Sequence, residues 1–145
     1  LRAHLRALTP LPEAEVRDWV GQGVVQWLGH VDDMPALLRS VDIVALPSYR
    51  EGLPKGLIEA AASGCALVTT NVPGCREVVT HDVDGLLVPV RDGDALAKAI
   101  ARLQDQPALR VRLASAGRHK ALEQFDERIV IERTMDVYRE LTDGR

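Results

Sequence analysis

Short apolar runs alternate with stretches of helical spacing along this chain. Four runs rich in β-branched or aliphatic residues show the length and composition of buried strands. These runs are Val24–Leu28, Val41–Leu46, Ala66–Thr70 and Gly85–Val88. Buried strands that alternate with helices favour a mostly parallel sheet covered on both faces, so we predict a doubly wound α/β fold. An α+β fold with an antiparallel sheet would need hairpin turns between adjacent strands, which the sequence does not show.

Helical segments are predicted between and after the strands. Asp32 or Asp33 caps a short helix with Pro35 in its first turn, and Asp92 caps a longer one. Gly64 is predicted to end its helix in the left-handed conformation. The other predicted segments are Pro12–Val20, Pro54–Ser63, an amphipathic stretch at Arg76–Val79, and a helical C-terminal tail with further helices from Pro107 and from about Glu127.

Composition narrows the class of protein. A length of 145 residues with 46% hydrophobic and 27% charged residues suits one compact domain. The net charge of −3 argues against nucleic-acid binding, and no apolar run is long enough for a membrane-spanning helix. Cys65 and Cys75 lack metal-ligand spacing, as do the four scattered histidines, so we expect free thiols and no metal site. The chain starts abruptly without Met, and we expect a fragment of a longer protein.

Four further charged positions are not assigned to a site. Asp82 and Asp84 lie in the sequence "HDVDG", which is typical of a turn and lacks the further ligands of a calcium loop. Arg118 and Lys120 lie in the helical tail, where we expect them to be solvated.

The start of the helix at Pro54 departs from what helix stability favours. Lys55 places a cation in the first turn, where the helix dipole disfavours it, and Lys55–Glu59 is the poorer orientation of an i,i+4 ion pair. Gly52 makes the backbone of the preceding loop more flexible than another residue would. An anion bound at the helix start would account for all three features, because free N–H groups and the dipole attract phosphate. A solvated helix start without a ligand remains the alternative.

Two carboxylates flank this helix start. Glu51 precedes the helix and Glu59 lies about a turn and a half inside it. A carboxylate accepts hydrogen bonds from paired hydroxyl groups, so sugar hydroxyls are natural partners. Glu59 taken alone is also compatible with an ordinary surface position on a helix.

The motifs together resemble a known family. The segment "PSYREGLPKGLIEAAASG" resembles the Glu-x7-Glu segment of family 4 retaining glycosyltransferases of the GT-B fold. The flanking "VVQWLGHVDDMPALLRSVDIVALPS" and "VPGCREVVTHDVDGLLVPVRDGDALAKAI" and the closing "DVYREL" agree, so the resemblance covers about residues 12–142. Enzymes that build capsular, O-antigen or exopolysaccharide repeats are the most similar. Ala66 stands where the family has proline, which should affect only the start of that strand.

The resemblance implies a role for each matching residue. Glu51, the catalytic position, would hold hydroxyl groups of the donor sugar without acting as a nucleophile. Ser48 and Glu77 would shape the site rather than contact the donor. The donor-binding residues implied are Gly52, Leu53 and Pro54 at the diphosphate, Glu59 at the ribose, and His30 and Val31 at the edge of the uracil.

The resemblance also implies a fold, partners and a location. Residues 1–145 would form a single domain, the Rossmann-like C-terminal half of a GT-B glycosyltransferase, truncated at its N-terminus and lacking the N-terminal acceptor domain. The function implied is retaining transfer from a nucleotide-sugar, UDP-linked, to a lipid-linked surface polysaccharide, without metal or cofactor. The longer enzyme would be cytoplasmic, at the inner face of the membrane, and this fragment alone inactive. The alternatives are a non-catalytic nucleotide-sugar-binding module, or another GT-B enzyme such as a nucleotide-sugar epimerase or a phosphorylase.

Overall fold

The computed structural model describes residues 12–143. The chain divides into two compact units, Leu1–Leu37 and Leu38–Arg145. The expectation of a single domain therefore stays a prediction.

The first unit contains helix α1, Glu13–Gly21, and the start of helix α2, Met34–Arg39. Asp33 caps α2, because its Oδ1 accepts a hydrogen bond from the amide of Ala36 at 2.9 Å. The predicted strand Val24–Leu28 is not formed, since only Val25 makes an isolated bridge. Val24 and Trp27 are exposed, so this apolar run lacks the burial that a paired central strand requires.

The second unit is built on a parallel sheet of three strands in the order β1-β2-β3, as the sequence predicts. The strands are β1, Ile43–Leu46, β2, Ala66–Thr70, and β3, Leu86–Val88. Val44 is paired with Leu67, and Thr69 with Leu87. Parallel neighbours need a crossover connection, and a helix lies in each of the two connections.

Helices follow each strand. They are α3, Lys55–Ala62, α4, Pro73–Val78, α5, Gly93–Asp105, α6, Pro107–Gln124, and α7, Glu127–Asp143. The predicted helix end and helix cap are confirmed. Gly64 has φ +85°, and the side chain of Asp92 caps α5 by accepting from the amide of Ala95. Pro107 opens α6, where its missing N–H leaves no hydrogen bond unmade.

The core lies on both faces of β2, and all five residues of this strand are buried. Leu67 packs on one side with Leu57 of α3, whereas Val68 packs on the other with Leu103 of α5. Successive residues of a strand point to opposite faces, so an unbroken apolar strand is buried only when both faces are covered. The arrangement confirms the doubly wound α/β prediction.

The helical tail leaves apolar side chains uncovered. Ile131, Met135, Val137 and Tyr138 of α7 are exposed. Among residues 12–143, no helix combines the length and the apolar character needed to cross a bilayer.

The Thr80–Gly85 turn precedes β3 and is closed by hydrogen bonds. The Asp84 carboxylate accepts from the amide of Thr80 at 2.5 Å and lies 3.3 Å from the ammonium group of Lys120. The side chain of Lys120 is only 18% exposed. The interpretation of Lys120 as a solvated residue was therefore wrong, because α6 packs over this turn. Lys120 and Thr80, which are in contact, are 40 positions apart in the sequence.

Candidate functional site

The Ser48–Pro54 loop lies at the carboxyl edge of the sheet. It follows β1, and the segments after β2 and β3 emerge at the same edge because the three strands are parallel. Arg91, beyond β3, places its guanidinium 5.5 Å from the centre of the Tyr49 ring. Loops from different strands therefore meet at the edge where α/β folds bind ligands.

The first turn of α3 offers unused hydrogen-bond donors. Pro54 is the N-cap and provides no side-chain cap, since proline has no donor or acceptor in its side chain. The first N–H groups of the helix to be paired are those of Leu57 and Ile58, which both donate to the carbonyl of Pro54. Among the described residues, the amides at 52, 53, 55 and 56 donate to no protein acceptor. These positions are exposed, so they present N–H groups to an anion.

Glu51 is half-buried and held in one orientation. The hydroxyl of Ser48 donates to Oε1 of Glu51 at 2.5 Å, and Ser48 itself is buried. One hydroxyl uses only part of the acceptor capacity of a carboxylate, so Glu51 keeps lone pairs for other donors. The resemblance implies that Ser48 shapes the site rather than contacts the donor; its hydroxyl contacts Glu51, and its role at a donor stays a prediction.

Lys55 and Glu59 do not pair with each other. Both are exposed, and within the described part of the chain neither forms an ion pair. The carboxylate of Glu59 and the ammonium of Lys55 are therefore available on the helix whose first amides are unpaired.

Two residues that the sequence did not single out support this loop. The hydroxyl of Thr70, at the end of β2, donates to the carbonyl oxygen of Ser48. Gly74, in the first turn of α4, packs so closely that a Cβ atom on it would overlap the carbonyl oxygen of Gly52. The signal available beforehand was a glycine in the first turn of a helix, where it weakens helix formation relative to alanine.

The two cysteines are buried thiols with raised pKa values. Burial raises the pKa of Cys75, the hydrogen bond from Thr69 opposes the shift, and the negative charge of Glu51 adds to it. Burial likewise raises the pKa of Cys65, with a smaller contribution from Asp42. Both cysteines are free and buried, and raised pKa values make them poor nucleophiles.

The other predicted site residues are placed individually. His30 and Val31 lie in the first unit, where His30 Nε2 is 3.3 Å from the carboxylate of Asp32 and both side chains are exposed. Their contact with a base stays a prediction. Glu77 is exposed on α4. In the range 12–143 no three histidine, cysteine, aspartate or glutamate side chains converge in a way that could hold a metal ion.

Comparison with known proteins gives consistent results. The family described as "Glycosyl transferases group 1" matches residues 3–106. A Campylobacter jejuni protein named N,N'-diacetylbacillosaminyl-diphospho-undecaprenol alpha-1,3-N-acetylgalactosaminyltransferase is 35% identical over 88% of this chain and 34% of its own length. An Escherichia coli protein named UDP-Gal:alpha-D-GlcNAc-diphosphoundecaprenol alpha-1,3-galactosyltransferase is 29% identical over 77% of this chain and 28% of its own.

A solved structure shows the same fold. Sucrose-phosphate synthase from Thermosynechococcus elongatus superimposes with a TM-score of 0.83 at 30% identity, covering 92% of this chain and 34% of that one. The chain thus spans about a third of the length of these proteins.

Proposed function

This chain belongs to the group 1 glycosyl transferases, and we propose that it binds the nucleotide-sugar donor of a retaining glycosyltransferase. The observation that carries the proposal is the set of unpaired amides at residues 52, 53, 55 and 56, next to the half-buried carboxylate of Glu51. A diphosphate supplies acceptors for those amides, and a sugar supplies hydroxyl donors for Glu51. The E. coli relative carries UDP-Gal in its name, which supports a UDP-linked donor.

The proposed chemistry uses fixed donors and a helix dipole. During transfer the bond between the anomeric carbon and a diphosphate oxygen breaks, and negative charge grows on that oxygen. A bond from the anomeric carbon to an acceptor hydroxyl oxygen forms, and the proton of that hydroxyl passes to the departing diphosphate. The exposed amides of Gly52 and Leu53 and the first turn of α3 face that charge, and such preorganised donors stabilise a transition state more than the ground state. Lys55 adds a positive charge to the same turn. The proposal requires neither metal nor cofactor.

Glu51 and Glu59 are proposed to bind different parts of the nucleotide-sugar. Glu51 accepts hydrogen bonds from hydroxyl groups of the transferred sugar, while Ser48 holds one of its oxygens. Glu59 accepts from the ribose hydroxyls. Pro54 sets the start of the helix beneath the diphosphate, and His30 and Val31 hold the uracil.

The complete enzyme is proposed to transfer a hexose or N-acetylhexosamine to a lipid-linked saccharide. Both relatives carry a diphosphoundecaprenol-linked saccharide in their names, which supports such an acceptor. A place at the inner face of the membrane is part of the same proposal. The acceptor is proposed to bind a domain outside this chain, since the chain spans about a third of each relative.

A titration of the chain with UDP tests the donor site. We expect amide chemical-shift changes at residues 52, 53, 55 and 56, because the diphosphate accepts hydrogen bonds there. Uridine is the control ligand: it lacks the diphosphate and should perturb these amides much less. Changes confined to residues 95–140 would contradict the proposed site.

An activity measurement separates the enzyme from a binding module. The longest natural polypeptide that carries this chain is incubated with UDP-sugars and an undecaprenyl-diphosphate-linked saccharide. Transfer with retention of anomeric configuration is the expected result. A protein that binds UDP-sugars but transfers none of them would instead be a non-catalytic nucleotide-sugar-binding module.

A further inference from the structure

Helix α4 lies against the backbone of the Ser48–Pro54 loop at a distance that only glycine permits. A Cβ atom built on Gly74 would overlap the carbonyl oxygen of Gly52 and lie 2.5 Å from that of Glu51. Gly74 is buried, and it is not among the glycines of positive φ. The requirement for glycine is therefore the close approach of two backbones rather than an unusual conformation.

A second contact reaches the same loop from the end of β2. The hydroxyl of Thr70 donates to the carbonyl of Ser48, and the hydroxyl of Ser48 donates to Glu51. Thr70 and Ser48 are both buried, so the bond between them is shielded from water, whereas Glu51 is half-buried. A polar chain that starts from buried, paired hydroxyl groups restricts the arrangement of the side chain at its end, here Glu51.

We propose that Thr70 and Gly74 are positioning residues for the donor site. Thr70 fixes the orientation of Glu51 through Ser48, and Gly74 fixes how far the backbone of Glu51 and Gly52 sits above the sheet. This inference rests on the proposed function, because it assigns to these residues the placement of the groups that contact the donor. A displacement of a few tenths of an ångström at Gly52 would misalign its amide with the diphosphate oxygen.

The substitution Gly74→Ala tests the close approach, with Gly85→Ala as its matched control. A Cβ on Gly85 would lie 2.8 Å from Val79 Cγ1 and 3.0 Å from the carbonyl oxygen of Leu67, at the opposite edge of the sheet. We expect both variants of the full chain to lose stability in denaturant. Only Gly74→Ala should also lower the affinity for UDP, by about tenfold or more, and shift the amide resonance of Gly52.

The outcomes distinguish the inference from the proposed function. A Gly74→Ala chain that binds UDP as the unaltered chain does would overturn the inference and leave the proposed function standing. Equal losses of UDP affinity in both glycine variants would also overturn it, because the effect would then be general destabilisation. An unaltered chain that binds no UDP would remove the proposed function and with it the role of both residues.

A milder pair of variants provides the test if Gly74→Ala does not fold. Thr70→Val keeps the shape of the side chain but removes the hydroxyl, whereas Thr70→Ser keeps the donor. We expect Thr70→Val to weaken UDP binding by about fivefold, the effect of one lost hydrogen bond, and Thr70→Ser to restore it. Similar UDP affinities in the two variants would contradict the role of the hydroxyl.

Discussion

The Ser48–Pro54 loop lies at the carboxyl ends of the strands, and the Thr80–Gly85 turn lies at their amino ends, just before β3. The carboxylates to compare are Glu51 in the loop and Asp84 in the turn. In the turn, the oxygens of Asp84 are occupied by the amide of Thr80 and the ammonium of Lys120. The amides at 82, 83 and 84 donate to carbonyl groups within the turn. In the loop, Glu51 has one hydroxyl partner among the described residues, and the neighbouring exposed amides have no protein acceptor.

The difference shows how the same chemical groups serve stability in one place and binding in another. Polar groups that are buried must find partners within the protein, and they then contribute to folding. Exposed donors at a helix start can remain unpaired without that penalty, because water occupies them until an anion does. Each region is also braced by a glycine that approaches another backbone closely: Gly74 at the loop and Gly85 at the turn.

The largest expected effect is on the turn. Asp84→Ala leaves Lys120 largely buried without its partner and removes the acceptor of the Thr80 amide. We expect the free energy of unfolding to fall by about 3 kcal/mol, measured by urea denaturation. The UDP affinity of the folded variant should not change.

The double variant Asp84→Ala/Lys120→Met serves as the control, because it removes the unpaired charge and should recover part of the lost stability. A selective loss of UDP affinity in Asp84→Ala would break the division between a structural turn and a binding loop.

The second effect is on activity and UDP binding rather than on stability, and it concerns the two carboxylates proposed to bind the nucleotide-sugar. In the active polypeptide, Glu51→Ala should lower kcat by about a hundredfold while weakening UDP binding much less, because Glu51 meets the sugar. Glu59→Ala should weaken UDP itself, by roughly 1–3 kcal/mol if it holds two hydroxyls. Calorimetric titration with UDP and steady-state kinetics separate the two. Equal effects of both substitutions on UDP affinity would contradict these roles, and neither should lower stability as Asp84→Ala does.

The smallest effect concerns the carboxylate of Asp126, which is paired with the exposed Arg128 at the start of α7. Hydrogen bonds from the side chain and backbone of Arg128 lower the pKa of Asp126 from 3.8 to about 2. A folded-state pKa below the unfolded value means that the ionised form stabilises the start of α7. This contribution is fully present above the unfolded pKa of 3.8 and is lost as the pH falls through about 2.

Carbon-13 NMR of the Asp126 carboxyl group should therefore show a midpoint near pH 2. Arg128→Met should move that midpoint up towards the unfolded value, with little change in overall stability because the Arg128 side chain is exposed. A midpoint that is the same in both chains would show that the surface pair does not hold its geometry in solution.

Much of the fold was predictable from local patterns. The strand Ala66–Thr70, the αL end at Gly64 and the caps at Asp33 and Asp92 depend on neighbouring residues, so the sequence signals them directly. The run Val24–Leu28 was not predictable in the same way, because an apolar run becomes a strand only when another strand pairs with it.

The sequence by itself determined the parallel α/β class and the positions of Glu51, Gly52 and Glu59 around the start of one helix. These follow from hydrophobic period and from the local chemistry of a helix terminus. Only the tertiary structure decided that Thr70 and Gly74 support that helix start and that Lys120 pairs with Asp84. Such contacts join residues distant in the chain, and the packing of helices on the sheet selects them, so no local pattern records which groups will meet.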